Sequence, residues 1–223
     1  RAPRSLALST LLGFPDHQVE HKYVVWMSQR QRVSAALWPK IFLAIVAACA
    51  QHSIMAGTLS QDALIYALYA IPYLIVLLLL SAGQSSQRGG LLGIEACWVI
   101  SCLTRALAAL AAGQAWFGCR WPLGFVIAMQ KGIDRFNEPL VLTVAEQTRL
   151  LPLMLCRAVF VVGLGYSNAS QGLHNPWLRS VTTNLACVVV GGVMDLHRRS
   201  TFLRLLKQQQ QQGHGGDNAT KKE

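Results

Sequence analysis

The sequence is poor in charged side chains, which make up 13% of its residues, against roughly 25% in an ordinary soluble domain. Hydrophobic residues reach 52%, and the mean hydropathy is +0.35. Residues 63–87 carry no charged side chain, and a helix of about 20 apolar residues is long enough to cross the hydrocarbon core of a bilayer. A helix buried in a soluble core usually keeps a polar stripe. The sequence therefore predicts an all-α, polytopic integral membrane bundle.

Recognisable patterns of catalysis are also missing. The sequence contains no nucleophile elbow, no phosphate-binding loop, no paired carboxylates on one helical face and no aromatic-basic pattern typical of nucleic-acid binding. We therefore predict that the chain is not an enzyme by itself, with no catalytic residue, no cofactor and no nucleic-acid partner. The six cysteines form no C-x-x-C pair and five lie in apolar stretches, which is typical of small buried hydrophobic residues.

Two histidine patterns suggest metal chemistry as an alternative. His17 and His21 flank Glu20 in the order H-x-x-E-H, the zinc pattern of inverted metalloproteases. That site needs a third protein ligand, and no later soluble helix supplies one. His52 has the character of a haem or copper ligand, but no second histidine occupies an apolar span. Both patterns favour ordinary polar roles and no metal site.

Apolar runs predict six membrane spans. Before them, apolar residues recur at the three-to-four-residue spacing of an amphipathic helix on the membrane surface: Val19, Tyr23, Trp26, Met27, Val33 and Leu37. The predicted spans are approximately 37–57, 63–83, 91–113, 121–129, 139–165 and 177–196. The fourth is short, so five spans is the alternative count. Pro72 predicts a kink in the second span.

The distribution of lysine and arginine supports six spans. With a cytoplasmic N-terminus, only Arg120 and Arg179 fall in external segments, as the positive-inside rule requires. Five spans would place the basic cluster after Arg198 outside. We therefore expect a multi-pass protein with both termini cytoplasmic, and three regions: a cytoplasmic segment with an amphipathic helix (1–36), a six-helix transmembrane domain (37–196), and a helical extension ending in a Gln/Gly-rich disordered tail (197–223).

Away from the ends of the predicted spans, five charged residues are predicted to lie within the membrane, where each costs about 2.5–3.5 kcal/mol unless it finds a partner. They are Glu95, Arg105, Glu146, Arg149 and Arg157. Glu146 and Arg149 are three residues apart and can pair within one helix. Arg105 lacks a partner on its own helix, which predicts an inter-helix contact or a water-filled cavity. Structural pairing is one interpretation of these charges, and a transport path is the other.

Two short signatures flank the membrane region. Residues 14–23 have the form F-x-D-x-x-x-E-x-x-[FY], and residues 195–202 have the form [DE]-x-x-x-R-x-x-F. The residues that carry them are Phe14, Asp16, Glu20, Tyr23, Asp195, Arg199 and Phe202. Around six spans, the pair resembles the N-terminal membrane domains found ahead of class III adenylate or guanylate cyclase domains in bacteria and algae, and ahead of some other signalling outputs.

This resemblance implies a sensory or regulatory membrane domain that belongs to a nucleotide cyclase or another signalling protein. The chain begins with Arg1 and ends in a linker-like tail, so we expect it to be a fragment. No cyclase residue can be carried over. The implied partners are the lipid bilayer, a second copy of the chain and a downstream cytoplasmic signalling domain. At the cytoplasmic face, Glu20 or Asp16 is expected to pair with Arg198 or Arg199. A small transporter or channel remains the alternative function.

Overall fold

A computed structural model describes residue 11, residues 13–81 and residues 90–216 of the chain. Six helices carry most of these residues: α1 His17–Met55, α2 Leu59–Ser81, α3 Gly90–Gly113, α4 Leu123–Gln130, α5 Leu150–Ser170 and α6 Pro176–Gly216. A 3₁₀ turn spans Trp116–Gly118. Residues 134–146, here called the broken segment, combine three short pieces: Asp134–Phe136, a π-helix at Asn137–Leu142, and Thr143–Glu146. The described residues contain no strand.

Five of these helices are long and apolar enough to cross a membrane. The candidate spans are Val33–Met55, Leu59–Ser81, Ile94–Gly113, Leu150–Ser170 and Pro176–Gln209. The protein is therefore an all-helical, multi-pass membrane protein. Large apolar side chains such as Leu78 and Leu185 remain more than half exposed, as expected of surfaces that face lipid.

The first helix differs from its prediction. Asp16 caps the N-terminus by accepting a 2.8 Å hydrogen bond from the Gln18 amide, and α1 then runs unbroken for 39 residues. Tyr23 and Met27 are buried against Phe202. The predicted amphipathic helix on the membrane surface is not confirmed, because its apolar face packs on another helix and α1 continues directly into the first span.

The second and third spans lie close to their predicted positions. Pro72 falls inside α2 and is buried, and the ring of Tyr73 packs between Phe42 of α1 and Trp98 of α3. The connection between these two spans, residues 82–89, lies outside the described residues, as do residues 1–10 and the part of the predicted disordered tail beyond Gly216. Helix α6 extends to Gly216, so the glutamine-rich part of the region predicted as a helical extension and tail is helical.

Helices α3 and α5 run parallel, because contacts between them advance in the same direction along both chains. The contacts pair Glu95 with Arg149, Ala106 with Gly163, and Gly113 with Ser167. A Cβ atom on Gly163 would overlap the Ala106 carbonyl, so only glycine permits this approach. Parallel neighbours require the intervening chain to return from one end of the bundle to the other.

The return is made by α4 and the broken segment. Trp121 contacts Ser167 at the end of α5, Arg179 near the start of α6 contacts Met129 and Asp134, and Glu146 lies beside Ser101. The fifth span predicted at 139–165 was therefore wrong in its bounds, because a continuous helix begins only at Leu150. The six predicted spans place residues 130–138 at the end of the bundle where α1 begins, but Met129 and Asp134 lie at the end where α6 begins.

Candidate functional site

The two flanking signatures meet at the end of the bundle where α1 begins. We call this cluster the clasp and define it by six residues: Phe14, Glu20, Tyr23, Asp195, Arg199 and Phe202. The rings of Phe14, Tyr23 and Phe202 lie 5.5–6.1 Å apart, centroid to centroid. Sequence positions that are some 180 residues apart are thereby joined into one site between α1 and α6.

The turn before α1 places Phe14 in the clasp. Gly13 has a φ of +85°, which favours glycine, and the Phe14 amide donates a 2.8 Å hydrogen bond to Glu20. This bond folds the chain back over the first turn of the helix. Asp16 is occupied as the N-terminal cap and is exposed, so it lies outside the clasp and does not pair with α6.

Arg199 is the central side chain of the clasp. Its guanidinium donates to both oxygens of Glu20, at 2.8 and 3.3 Å, and to Asp195 at 3.2 Å. The same group lies 4.4 Å from the centroid of the Tyr23 ring and 4.9 Å from that of Phe14, within cation–π range. A planar, permanently charged fork is required for these simultaneous contacts. Arg198, the other expected partner, instead donates to the carbonyl of Met194.

Tyr23 completes the polar part of the clasp. Its hydroxyl donates a 2.5 Å hydrogen bond to Asp195, and both side chains are fully buried. Asp195 accepts from Tyr23 on one oxygen and from Arg199 on the other. A buried carboxylate is stable only with such partners, so Asp195 requires both α1 and its own helix to be in place.

Titration at the clasp follows from these contacts. Burial alone would raise the pKa of Glu20, but hydrogen bonds from Arg199 and the Phe14 amide, with the charges of Arg199 and Arg149, hold it below the ordinary 4.5. Burial and the nearby Asp195 carboxylate raise the pKa of Tyr23 well above 10.0. At neutral pH, Glu20 is therefore an acceptor and Tyr23 a donor.

Arg149 connects the clasp to the remainder of the bundle. It lies in the loop between the broken segment and α5, where it contacts Glu20 at 3.5 Å and Glu95 at 3.0 Å. Opposing the effect of burial, the bonds to Glu95 and Glu20 raise the pKa of Arg149. The predicted pair of Glu146 with Arg149 does not form, because Gln147 adopts a φ of +36° and ends the helix between them.

Glu146 and the remaining intramembrane charges form a second buried cluster, the core ion-pair network. Its members are Arg105, Glu138, Glu146 and Arg157. Arg105 pairs with Glu146, with one contact at 2.7 Å, and Arg157 with Glu138 at 2.6 Å. The charges predicted within the membrane thus face one another across α3, the broken segment and α5, as their cost in hydrocarbon demands.

Sequence reasoning missed Glu138. Its backbone carbonyl accepts hydrogen bonds from the Thr143 amide and, at 2.9 Å, from the Thr143 hydroxyl, within the π-helix that contains Pro139. Short, proline-interrupted apolar segments that carry a polar residue are the pattern of a discontinuous membrane helix. That pattern is present at residues 137–142 and was the available signal.

The histidines of the metal hypotheses lie apart from these clusters. His17, His21 and His52 are exposed. Among the described residues, no group of three His, Cys, Asp or Glu side chains is placed to hold a metal ion. Cys97, Cys102, Cys119, Cys156 and Cys187 are buried as thiols.

Comparisons with known proteins leave these clusters as the main guide to function. Neither a family model, nor a curated protein, nor a solved structure matches the chain.

Proposed function

We propose that the chain is a sensory or regulatory membrane domain, whose helix α6 carries a change in the bundle to a cytoplasmic signalling output. One observation carries this proposal: the clasp joins the entry helix to the exit helix through buried charges and rings. On the N-terminal side of the clasp, α6 belongs to the bundle, and on the C-terminal side the same helix continues to Gly216.

The clasp suits this role because it couples α6 to several elements at once. Arg199 binds Glu20, Glu20 also contacts Arg149, and Arg149 binds Glu95 on α3. Charge pairs of this kind have two discrete states, paired or parted, which is the behaviour required of a switching element. The proposed partners are the bilayer, a second copy of the chain and a signalling domain attached at the C-terminal side.

A charge swap at the clasp tests the proposal. Spin labels at the exposed positions Gln29 and Gln208 report the distance between α1 and α6. Glu20→Arg is expected to broaden the distance distribution. Adding Arg199→Glu is expected to narrow it again, in an Asp195→Asn background, because Asp195 would otherwise repel the new glutamate.

Reversal of an exposed charge on the same helix, Lys22→Glu, serves as the control and should leave the distance unchanged. A wild-type distribution in Glu20→Arg, or a swap that restores nothing, would remove the clasp as the coupling element.

We further propose that α4 and the broken segment make a sixth crossing, with both termini in the cytoplasm. The parallel arrangement of α3 and α5 supports this path. Six crossings place the α1–α2 turn and the α5–α6 turn on the same side. Ala56→Cys and His174→Cys, made with Cys49→Ser, should both react with an impermeant maleimide added to intact cells. Reaction from opposite sides would contradict six crossings.

Transport is the second candidate, favoured by the broken segment and its buried carboxylates, since transporters bind substrates at discontinuous helices. Against it, both arginines of the core ion-pair network are already paired with carboxylates. Flux into liposomes that is lost in Arg105→Met and Arg157→Met would support transport. Equal flux through wild-type and variant protein would exclude a path through this network.

A further inference from the structure

A cavity of about 280 Å³ lies between α1, α2, α3, α4, α5 and the broken segment. At about 30 Å³ for each water-sized group, it holds roughly nine non-hydrogen atoms. Ile45, within the first candidate span, lines it and is about half exposed. Since exposed isoleucines on membrane helices face hydrocarbon, the cavity is reached from the lipid phase.

One wall of the cavity is aromatic. Tyr69, Trp121 and Phe125 line it with ring centroids 5.4–6.4 Å apart. Phe160 and Leu164 of α5 close the inner side. These rings and aliphatic groups suit an apolar body with no charge.

Three polar side chains in this apolar lining have hydrogen-bonding groups that are unused among the described residues: Asp134, Tyr69 and Asn137. Asp134 lines the cavity and binds Arg179 through one oxygen, while its other oxygen is buried without a hydrogen bond. Tyr69 also lines the cavity, and in the described part of the chain no group donates to its hydroxyl or accepts from it. One unused acceptor therefore stands in the same cavity as one unused phenol.

The charges around the cavity are balanced. Three guanidinium groups face three carboxylates in two connected sets: Arg179 with Asp134, and Arg105 and Arg157 with Glu138 and Glu146. A charged ligand would leave an unpaired charge in a medium where that is costly. A neutral hydroxyl both donates and accepts, which matches the free Asp134 oxygen and the Tyr69 phenol.

We propose that this cavity binds a small, neutral, apolar alcohol from the membrane phase, with its hydroxyl between Asp134 and Tyr69. The stimulus role of such a ligand rests on the sensory function proposed above, whereas its binding does not. Through Glu138, which also lines the cavity, the ligand would adjoin the core ion-pair network.

Bromooctanol tests binding in the full chain reconstituted into nanodiscs, because bromine quenches a tryptophan that it contacts. The difference in quenching between wild type and Trp121→Phe gives the contribution of the tryptophan that lines the cavity. Bromooctane provides the same apolar body without a hydroxyl. We expect saturable quenching by bromooctanol, and a roughly three- to tenfold weaker affinity in Tyr69→Phe, as one hydrogen bond is removed. Bromooctane should bind wild type and Tyr69→Phe alike.

A filled cavity gives a second test. No atom lies within 4 Å of a Cβ built on Gly124, which lines the cavity, so Gly124→Leu should fold and abolish quenching of Trp121 by both probes. Ala158→Leu on an exposed face of α5 is the matched control and should bind as wild type.

Equal affinity for the two probes, unchanged in Tyr69→Phe, would show that the cavity only accepts a lipid chain and would overturn the proposal. Quenching that never saturates would remove the site. The distance between the spin labels on α1 and α6 tests the stimulus role separately from binding. Binding that leaves this distance unchanged would support the site but show that its ligand is not the stimulus.

Discussion

Tyr23→Phe isolates one hydrogen bond of the clasp. The substitution removes a single oxygen from a side chain that is 0% exposed, and its partner Asp195 is also 0% exposed. Hydrogen bonds to charged groups contribute about 1.5–3 kcal/mol. Asp195 would keep its bond to Arg199 but lose the only other donor to its carboxylate among the described residues. We expect the free energy of unfolding to fall by about 1.5–3 kcal/mol.

Tyr69→Phe is the matched control, because the Tyr69 hydroxyl makes no hydrogen bond within the described residues. Its effect should stay within about 0.5 kcal/mol. Both variants are measured by reversible unfolding in detergent, with SDS as denaturant and helical circular dichroism as the signal. Equal free energies for the two variants would refute the assignment of Tyr23 as a buried donor in the clasp.

The pH dependence of the same comparison follows from the Tyr23 pKa. Because that pKa is raised above its unfolded value of 10.0, the Tyr23 contribution is fully present below pH 10.0. It is lost as the pH rises through the folded-state pKa. The difference between wild type and Tyr23→Phe should therefore be constant from about pH 6 to 9.

Three further variants test the clasp, the core and the helix packing by the same unfolding assay. Since the pKa of Glu20 in the folded state lies below 4.5, its contribution to stability is present above pH 4.5 and is lost as the pH falls through that folded-state pKa. The difference in the free energy of unfolding between wild type and Glu20→Gln should therefore shrink as the pH falls below 4.5. Arg105→Met should cost about 3–5 kcal/mol by leaving Glu146 unpaired, and adding Glu146→Gln should recover part of it. Gly163→Ala should cost about 1–3 kcal/mol by forcing α3 and α5 apart. Gly192→Ala, with only ordinary contacts at 3.5–3.8 Å, should not. Three results would contradict these expectations. They are a stability difference between wild type and Glu20→Gln that does not change with pH, costs that simply add in the Arg105→Met/Glu146→Gln double variant, and an unchanged free energy of unfolding in Gly163→Ala.

The helical class and four of the long spans could be predicted from sequence, because apolar runs near 20 residues have few alternative structures. The pairing of Glu20 with Arg199 was among the expected contacts at the clasp. That prediction succeeded because both residues lie on regular helices, Glu20 before the first candidate span and Arg199 in the last third of the last one, and the direction of each helix fixes which residues meet.

Hydropathy failed where the helix is interrupted. Pro139 lacks an amide hydrogen, and the positive φ of Gln147 ends a helix that the apolar pattern would continue. A hydropathy profile records neither effect. The partner of Glu146 was missed for the same reason: spacing along a chain predicts an i,i+3 pair only if the intervening residues are helical.

The length of α6 gives the clasp a mechanical meaning. Leu206 is the last residue that packs against the clasp cluster, and the helix continues to Gly216, about 15 Å further at 1.5 Å per residue. With the clasp as its pivot, a tilt of about 10° moves that end by about 2.6 Å. If separation of the Glu20–Arg199 ion pair allowed such a tilt, the C-terminal end of α6 would be displaced by about the width of an atom.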